Sequence, residues 1–437
     1  MKTALTATLA ALALSGAAVA QETRFADADP IVFVHGDSDT AALWQAQIWR
    51  FESNGYPSDK LVAIDLDNPG ARGDDTVAED NRTSTTDVAT QLKSNVDAIG
   101  APKVDMVGNS RGCQTIRNYL RNFGGAEMVD SAVLTGCVHK GVFNNPGGNL
   151  GSEYNGQGPF LKGLNEGREV EEGVRTTTIR SDKFDLYNQP TGEYIGLPPG
   201  TPIGGRFDGP ELDGATNLVI DGADHRETAY SPEAFAMMFE AITGEKPQTT
   251  DIVAQETPVL NGEVSGWANE RPTNLPLEGA TVRVFETDPA TGERKGEAVH
   301  EKSVGADGMW GPFEAKPDRT YEFEIAAEGY PTHHIYRSPF PRSSSYVNLR
   351  LYPKEGAAAG SKAHVSMMRP RGYYGGDDTV KLGDAMQGMN DLPVPNVWKV
   401  HATSDAPQTV VGEFNGETIA ARTWPSDGHT AWIELTY

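Results

Sequence analysis

Cysteine is scarce in this 437-residue chain: only Cys113 and Cys137 occur, which excludes a disulfide-stapled scaffold and a cysteine-rich zinc module. Basic residues are also outnumbered, 37 Lys and Arg against 61 Asp and Glu, for a formal charge of −24. That balance removes the bulk attraction needed to hold nucleic acid or an anionic membrane. Beyond the first twenty residues no apolar run is long enough to span a bilayer, so no transmembrane anchor is expected. The first twenty run from Met1-Lys2 through an apolar stretch to Leu14 and end in Ala18-Val19-Ala20. This pattern reads as a secretory signal peptide cleaved before Gln21 rather than a membrane span. The expected location is therefore extracellular or periplasmic. In such an oxidising compartment Cys113 and Cys137 are expected to form one disulfide, the alternative being two buried thiols.

The length calls for two or three domains. From residue 30 to about 245, short β-branched runs alternate with amphipathic segments, the mark of a mostly parallel sheet covered by helices on both faces. The strands are read at Ile31–Val34, Leu61–Leu66, Val104–Val107, Ser131–Thr135, Thr176–Ile179 and Asn217–Ile220. Helices are read at Ala42–Ser53, Thr86–Ala98, Arg111–Asn122 and Pro232–Thr243, the last capped by Ser231. A Gly- and Asn-rich stretch, residues 138–173, interrupts the alternation as either a cap over a pocket or a surface loop. After Gly244-Glu245-Lys246-Pro247 the pattern changes to short alternating strands (Thr281–Phe285, Tyr321–Ala326, Tyr346–Leu351), a β-sandwich signature. A second break near Lys354–Gly360 divides this region in two. The expected plan is a signal peptide (1–20), an α/β domain with a mostly parallel sheet (21–248), a β-sandwich domain (249–354) and a small β-rich domain (355–437).

The strongest chemical signal is Gly108-Asn109-Ser110-Arg111-Gly112, set between a strand and a helix. A nucleophile elbow needs this context, because a serine on a sharp turn leaves room for glycine alone at the flanking close approaches. The serine hydroxyl needs a neutral imidazole to take its proton. Of the nine histidines, His225 alone falls in the loop after the last strand of the first domain. The acid that orients it should follow the preceding strand; Asp185 is the choice, with Asp182 the alternative. Backbone amides of Asp37 and Arg111 are the expected oxyanion donors. His35 is expected to orient the loop after the first strand. Trp44 and Trp49 are read as acyl-pocket candidates, Trp44 foremost, against a plain core role. The adjacent His333 and His334 have no third ligand in view, and Asp74 to Asp80 reads as a solvated charged loop, so no metal site is expected.

Together, Val32-Phe33-Val34-His35-Gly36, the elbow and Asp224-His225 resemble the bacterial lipases and esterases of the α/β-hydrolase superfamily over roughly residues 28–245. Asn109 stands where histidine is commoner in that family, and Arg111 where methionine is commoner. The departure at Arg111 puts a charge beside the nucleophile, at the expected mouth of the pocket, and so bears on substrate preference. Downstream, Asp288–Lys295, Ala306–Gly311 and His333–Phe340 resemble the β-rich C-terminal lipid-binding domain of some microbial lipases. It implies that this region helps to hold acyl chains or a lipid–water interface.

The reading is a carboxylic ester hydrolase working through an acyl-serine, without cofactor, on acylglycerols or other acyl esters, as a monomer. A second reading is an extracellular polyester depolymerase docking through aromatic residues such as Trp267, Trp310, Trp398, Tyr373 and Tyr374. A third, from another class, is a non-catalytic surface-binding protein that keeps a hydrolase shell.

Overall fold

A computed structural model describes residues 24–182, 184–187, 211–353, 361–388 and 394–436. The expected signal peptide and the break at residues 354–360 lie outside the described residues.

The first half is built on six parallel strands: β1 (Ile31–Val34), β2 (Leu61–Ile64), β3 (Val104–Asn109), β4 (Val129–Thr135), β5 (Arg175–Ser181) and β6 (Thr216–Ile220). Their order across the sheet is β2-β1-β3-β4-β5-β6. Parallel strands need crossovers on both faces, which is why the central ones read as unbroken apolar runs such as Ile31-Val32-Phe33-Val34, buried throughout. Alternate residues serve opposite faces. Ile31, Phe33, Val107 and Val133 pack under helices α1 (Gln45–Ser53) and α5 (Pro232–Thr243). Val32, Val34, Val104 and Met106 face α2 (Thr85–Ile99) and α3 (Arg111–Asn122). Capping fixes where helices begin: Ser84 and Asp87 form a reciprocal capping box on α2, and Ser231 accepts the Ala234 amide on α5. A short helix, α4 (Pro159–Asn165), lies within the Gly- and Asn-rich stretch.

Several expected boundaries move, two of them for identifiable local reasons. The segment Ala42–Ser53 starts as a 3-10 turn, Ala41–Trp44, capped by Thr40, before α1 begins at Gln45. Strand β2 stops at Ile64 because the Leu66 amide leaves the ladder and donates to His35 Nε2 at 3.1 Å.

Cys113 and Cys137 are joined as a disulfide, tying α3 to the end of β4 across 24 residues of chain. In the chain-entropy account a loop of that size contributes about 3.5 kcal/mol. The double variant Cys113→Ala/Cys137→Ala should lose about that much in chemical denaturation under non-reducing conditions; a loss below about 1 kcal/mol would contradict it.

The second half is β-rich. Thr281–Thr287, Thr320–Ala326 and Thr332–Arg337 run antiparallel, and the chain's last strand, His429–Glu434, pairs in parallel with Thr332–Arg337. That last strand also pairs with Ala363–Met368, so segments from both sides of residue 354 share one sheet. The break at 354–360 therefore does not separate two sheets. Composition marks a local change in the chain, whereas strand pairing is decided by segments nearly a hundred residues apart. A smaller sheet containing Thr409–Phe414 and Glu417–Arg422 packs on the large one through Val365, Met367, Phe414 and Ile433. Trp310 and Tyr374 are fully buried and cannot form a docking face, while Trp398 is 36% exposed.

The two halves are closely joined. Trp49 belongs to the β-rich core, where its Nε1 donates to the Ser343 carbonyl at 2.8 Å, and Arg342 pairs with Glu52 at 2.8 Å.

Candidate active site

Ser110 sits between β3 and α3 at φ 55°, ψ −119°, a conformation that costs a non-glycine residue on the order of 1–3 kcal/mol and persists only where the surroundings impose it. The imposition comes from close packing. A Cβ on Gly112 would collide with the carbonyl oxygens of Val34 and His35, and one on Gly36 would stand 3.0 Å from Ser110 Cβ. The elbow is thus pressed against the C-terminal ends of β1 and β3, where such sheets carry their sites.

His225 lies in the loop after β6. Its Nδ1 is 2.9 Å from Asp185 Oδ2 and 3.0 Å from Oδ1, with both side chains nearly fully buried. The Tyr187 amide also donates to Asp185 Oδ1, at 2.8 Å, and its ring meets the imidazole edge-on with centres 4.5 Å apart. The alternative acid, Asp182, turns elsewhere: its Oδ1 accepts from the amides of Gly222 and Phe184. With Asp185 holding Nδ1–H, Nε2 is the basic nitrogen, and Ser110 and His225 line the same cavity of about 240 Å³.

Of the two expected oxyanion donors, Asp37 is among the residues lining that cavity and Arg111 is not, although Arg111 follows Ser110 directly. The Arg111 amide opens the first turn of α3, where a helix has no acceptors of its own to offer. Burial pushes the Asp37 carboxyl up, partly offset by Arg111 and by the hydrogen bond from the Ala71 amide at 2.8 Å. His35 is buried, with Nδ1 2.8 Å from the Gly36 carbonyl and Nε2 accepting from Leu66. Burial lowers its pKa, so it remains a neutral brace for the loop.

Two expectations are corrected. Trp44 lines no part of the cavity; it is fully buried against Phe33, ring centres 5.4 Å apart, in the core beneath the sheet. Its place at the start of the first helical segment puts it on the face that must cover β1. The Arg111 guanidinium does not reach the mouth of the pocket. It points into the protein, where Nε and Nη2 grip Glu153 at 2.9 and 2.8 Å and Nη1 and Nη2 bind Pro69 and Thr83. Desolvation opposes its charge, but the Glu153 carboxylate more than restores it. This pair clamps the 138–173 stretch over the site. That stretch is ordered around Asn155, whose side chain bonds the backbone of Asn145, Gly148 and Asn149, and it contributes Val138, Val142, Phe143 and Tyr154 to the cavity wall.

Because removing one partner strands a buried charge, Arg111→Met should destabilise the protein by about 3–5 kcal/mol in denaturant melts. Arg111→Met combined with Glu153→Leu should recover a large part of that loss. Equal losses in the single and double variants would show that the pair itself matters little.

Sequence reasoning missed the contributions of distant segments. Tyr373 of the β-rich half, read from the sequence as a docking aromatic, instead lines the cavity, and its amide donates to Asp224 Oδ2 at 2.7 Å. Arg369 makes a buried ion pair with Asp224 at 2.9 Å, and Asp224 in turn caps the Arg226 and Glu227 amides beside His225. Only Tyr187, two positions after Asp185, had a signal nearby. His333 and His334 are structural in their contacts: His333 Nδ1 meets the Pro331 carbonyl and His334 Nδ1 meets Glu322. Glu322, Glu324 and His334 cluster closely enough to hold a cation, but Arg294 already occupies both carboxylates. In the acidic loop, Asp75 receives the Thr85 amide and hydroxyl, and Asp74 folds back on Thr76.

Residues 28–142 match the family model described as Lipase (class 2), and residues 260–353 match the Lipase C-terminal domain. Among solved structures, the chain is similar to an α/β-hydrolase enzyme from the metagenome of lagoon sediments at Mar Chica, Morocco (19% identity, 49% of this chain and 89% of that one, TM-score 0.33). It is similar to the Paleococcus ferrophilus monoacylglycerol lipase (14% identity, 50% and 97%, TM-score 0.36). A third is the carboxylesterase CesB from Bacillus subtilis (16% identity, 50% and 85%, TM-score 0.30).

Proposed function

We propose that this chain, whose residues 28–142 and 260–353 match the Lipase (class 2) and Lipase C-terminal domain models, is an exported serine ester hydrolase that cleaves acyl esters through Ser110, His225 and Asp185. The observation that carries this assignment is the buried His225–Asp185 contact at 2.9 Å, made in the same cavity that exposes Ser110 on its strained turn.

In this reading Ser110 Oγ attacks the ester carbonyl carbon while His225 Nε2 takes its proton. The carbonyl oxygen becomes an oxyanion facing the amides of Asp37 and Arg111, a location worth about 100-fold to 1000-fold per donor. Asp185 keeps the imidazole in the tautomer with Nδ1–H and stabilises the imidazolium that forms. The C–O bond then breaks, His225 returns the proton to the departing alcohol, and the acyl group stays on Ser110. Water, deprotonated by the same imidazole, releases the acid. Val138, Val142 and Phe143 give the cavity an apolar wall suited to an acyl chain. The disulfide and the Met1–Ala20 pattern support export to an oxidising compartment.

The test is turnover of p-nitrophenyl esters from short to long acyl chains by the mature protein, together with labelling by a fluorophosphonate. Hydrolysis with one label per chain, located on Ser110 by peptide mass, is expected. An unlabelled protein that turns over no ester of any chain length would overturn the assignment.

A further inference from the structure

A second cavity, about 400 Å³, opens between the hydrolase half and the β-rich half. It adjoins the Ser110 cavity, since Asp39, Arg226 and Tyr373 line both. Its charge runs against the rest of the molecule. In a chain of formal charge −24, five arginines, Arg226, Arg271, Arg337, Arg350 and Arg371, line it against two carboxylates, Asp39 and Glu434.

The two carboxylates are already engaged: Glu434 with Arg337 at 2.9 Å and Asp39 with Arg226 at 3.4 Å. Arg350 and Arg371 are anchored instead by neutral groups. Arg350 donates to the Ser38 and Asp39 carbonyls at 2.8 and 3.0 Å, and Arg371 donates to the Ala42 carbonyl at 2.9 Å. Carbonyls hold a guanidinium in place without cancelling its charge, so a positive excess remains in a partly dry cleft. The same excess shows in the pKa of Arg371, which burial and the neighbouring Arg337 push down to about 10. Arg271 stands exposed at the rim. Trp267, Tyr352 and Trp398 supply flat apolar surface beside the guanidinium groups.

We propose that this cleft is a substrate subsite for an oxyanion, a carboxylate or phosphate carried by the ester whose carbonyl is attacked at Ser110. The proposal rests on the ester-hydrolase reading. Guanidinium groups match carboxylate and phosphate geometry, and their shared boundary with the catalytic cavity lets one molecule occupy both. The anion could sit at the far end of the acyl chain or on the alcohol side, as in a phospholipid headgroup. The shared chemistry is the oxyanion.

The experiment uses the full mature protein and two matched pairs. One pair is p-nitrophenyl esters with an ω-carboxylate on the acyl chain against the same esters capped as methyl esters. The other is phosphatidic acid against diacylglycerol of the same chains in mixed micelles. The anionic member of at least one pair should be preferred in kcat/KM by about tenfold or more. That ratio should shrink between about 20 mM and about 0.5 M salt as charges are screened, and it should fall towards unity in Arg271→Glu. Arg271→Gln, with no reversed charge, should give an intermediate ratio. The pair that responds identifies the source of the oxyanion.

Ratios within about twofold of unity for both pairs, with neutral esters still hydrolysed, would overturn the subsite and leave the ester-hydrolase reading standing. If no ester is hydrolysed, that reading fails, and calorimetry with inorganic phosphate then decides the cleft alone. Binding lost in Arg271→Glu would keep it as an anion site, and absence of binding would overturn it.

Discussion

Ser110→Ala should lower kcat on p-nitrophenyl butyrate by about a millionfold, while thermal unfolding stays close to that of the unaltered protein. Removing a nucleophile costs about as much as dismantling the whole serine–histidine–acid set, because the three act as one unit and none works without the hydroxyl. Residual hydrolysis on the order of 10³–10⁴-fold over water should survive, supplied by the amides of Asp37 and Arg111 and by substrate binding. The substitution removes a single oxygen from a residue held by packing rather than by its own side chain: the Ser110 amide donates to Thr135 at 3.1 Å, and its carbonyl receives the Cys113 amide. Alanine keeps both bonds. The φ of 55° is strained for alanine as for serine, so little stability should change. Steady-state kinetics and a melting curve on the same preparation make the measurement. A loss below about 100-fold with the fold intact would mean that another group attacks the ester.

Asp185→Asn should lower kcat by about 10⁴ near neutral pH, whereas Asp182→Asn should stay within about tenfold. The difference follows from the partners. Asp185 holds His225 Nδ1 with both oxygens, at 3.0 and 2.9 Å. An asparagine there can donate to Nδ1, which fixes the tautomer that leaves Nε2 protonated and unable to accept from Ser110, and it withdraws the charge that stabilises the imidazolium. Asp182 serves backbone amides, accepting from Gly222 in the loop after β6 and from Phe184 nearby at 3.2 and 3.3 Å, and an asparagine carbonyl can do the same. Comparing kcat at pH 7 to 8 for the two variants with their melting points separates the roles. The reverse ranking would transfer the orienting role to Asp182.

Both predictions concern residues visible in the sequence, yet they were legible to different degrees. Ser110 announced itself because its requirements are short-range: strand, turn and helix in succession, with glycines where backbones nearly touch. His225 was the histidine after the last strand of the first domain. Asp185 against Asp182 was less legible, since both follow the same strand and three residues of turn geometry decide which carboxyl meets the ring. The resemblance of residues 28–245 and of the downstream β-rich stretch added the expectation of a lipid-handling partner domain, but not how that domain sits.

Removing residues 250–437 would therefore not isolate a catalytic half. Trp49 would lose the core it packs in, Asp224 would lose Arg369, and the cavity would lose Tyr373. The β-rich half forms part of the site's wall and braces the histidine loop, so point variants are the sharper instruments.

The sequence by itself determined the order of the six strands and four main helices of the first half and where the candidate nucleophile stands. These follow from periodicity, capping and the steric demands of a few consecutive residues. Only the tertiary structure decided that Trp44 fills the core, that the charge of Arg111 is spent on Glu153 rather than at the pocket mouth, and that strands on both sides of residue 354 share one sheet. It alone brought Arg369 and Tyr373 to the His225 loop and gathered five arginines in one cleft. Such contacts join segments 40 to more than 300 residues apart, and pairing at that range is set by which surfaces can be buried together, a property no local stretch of chain carries.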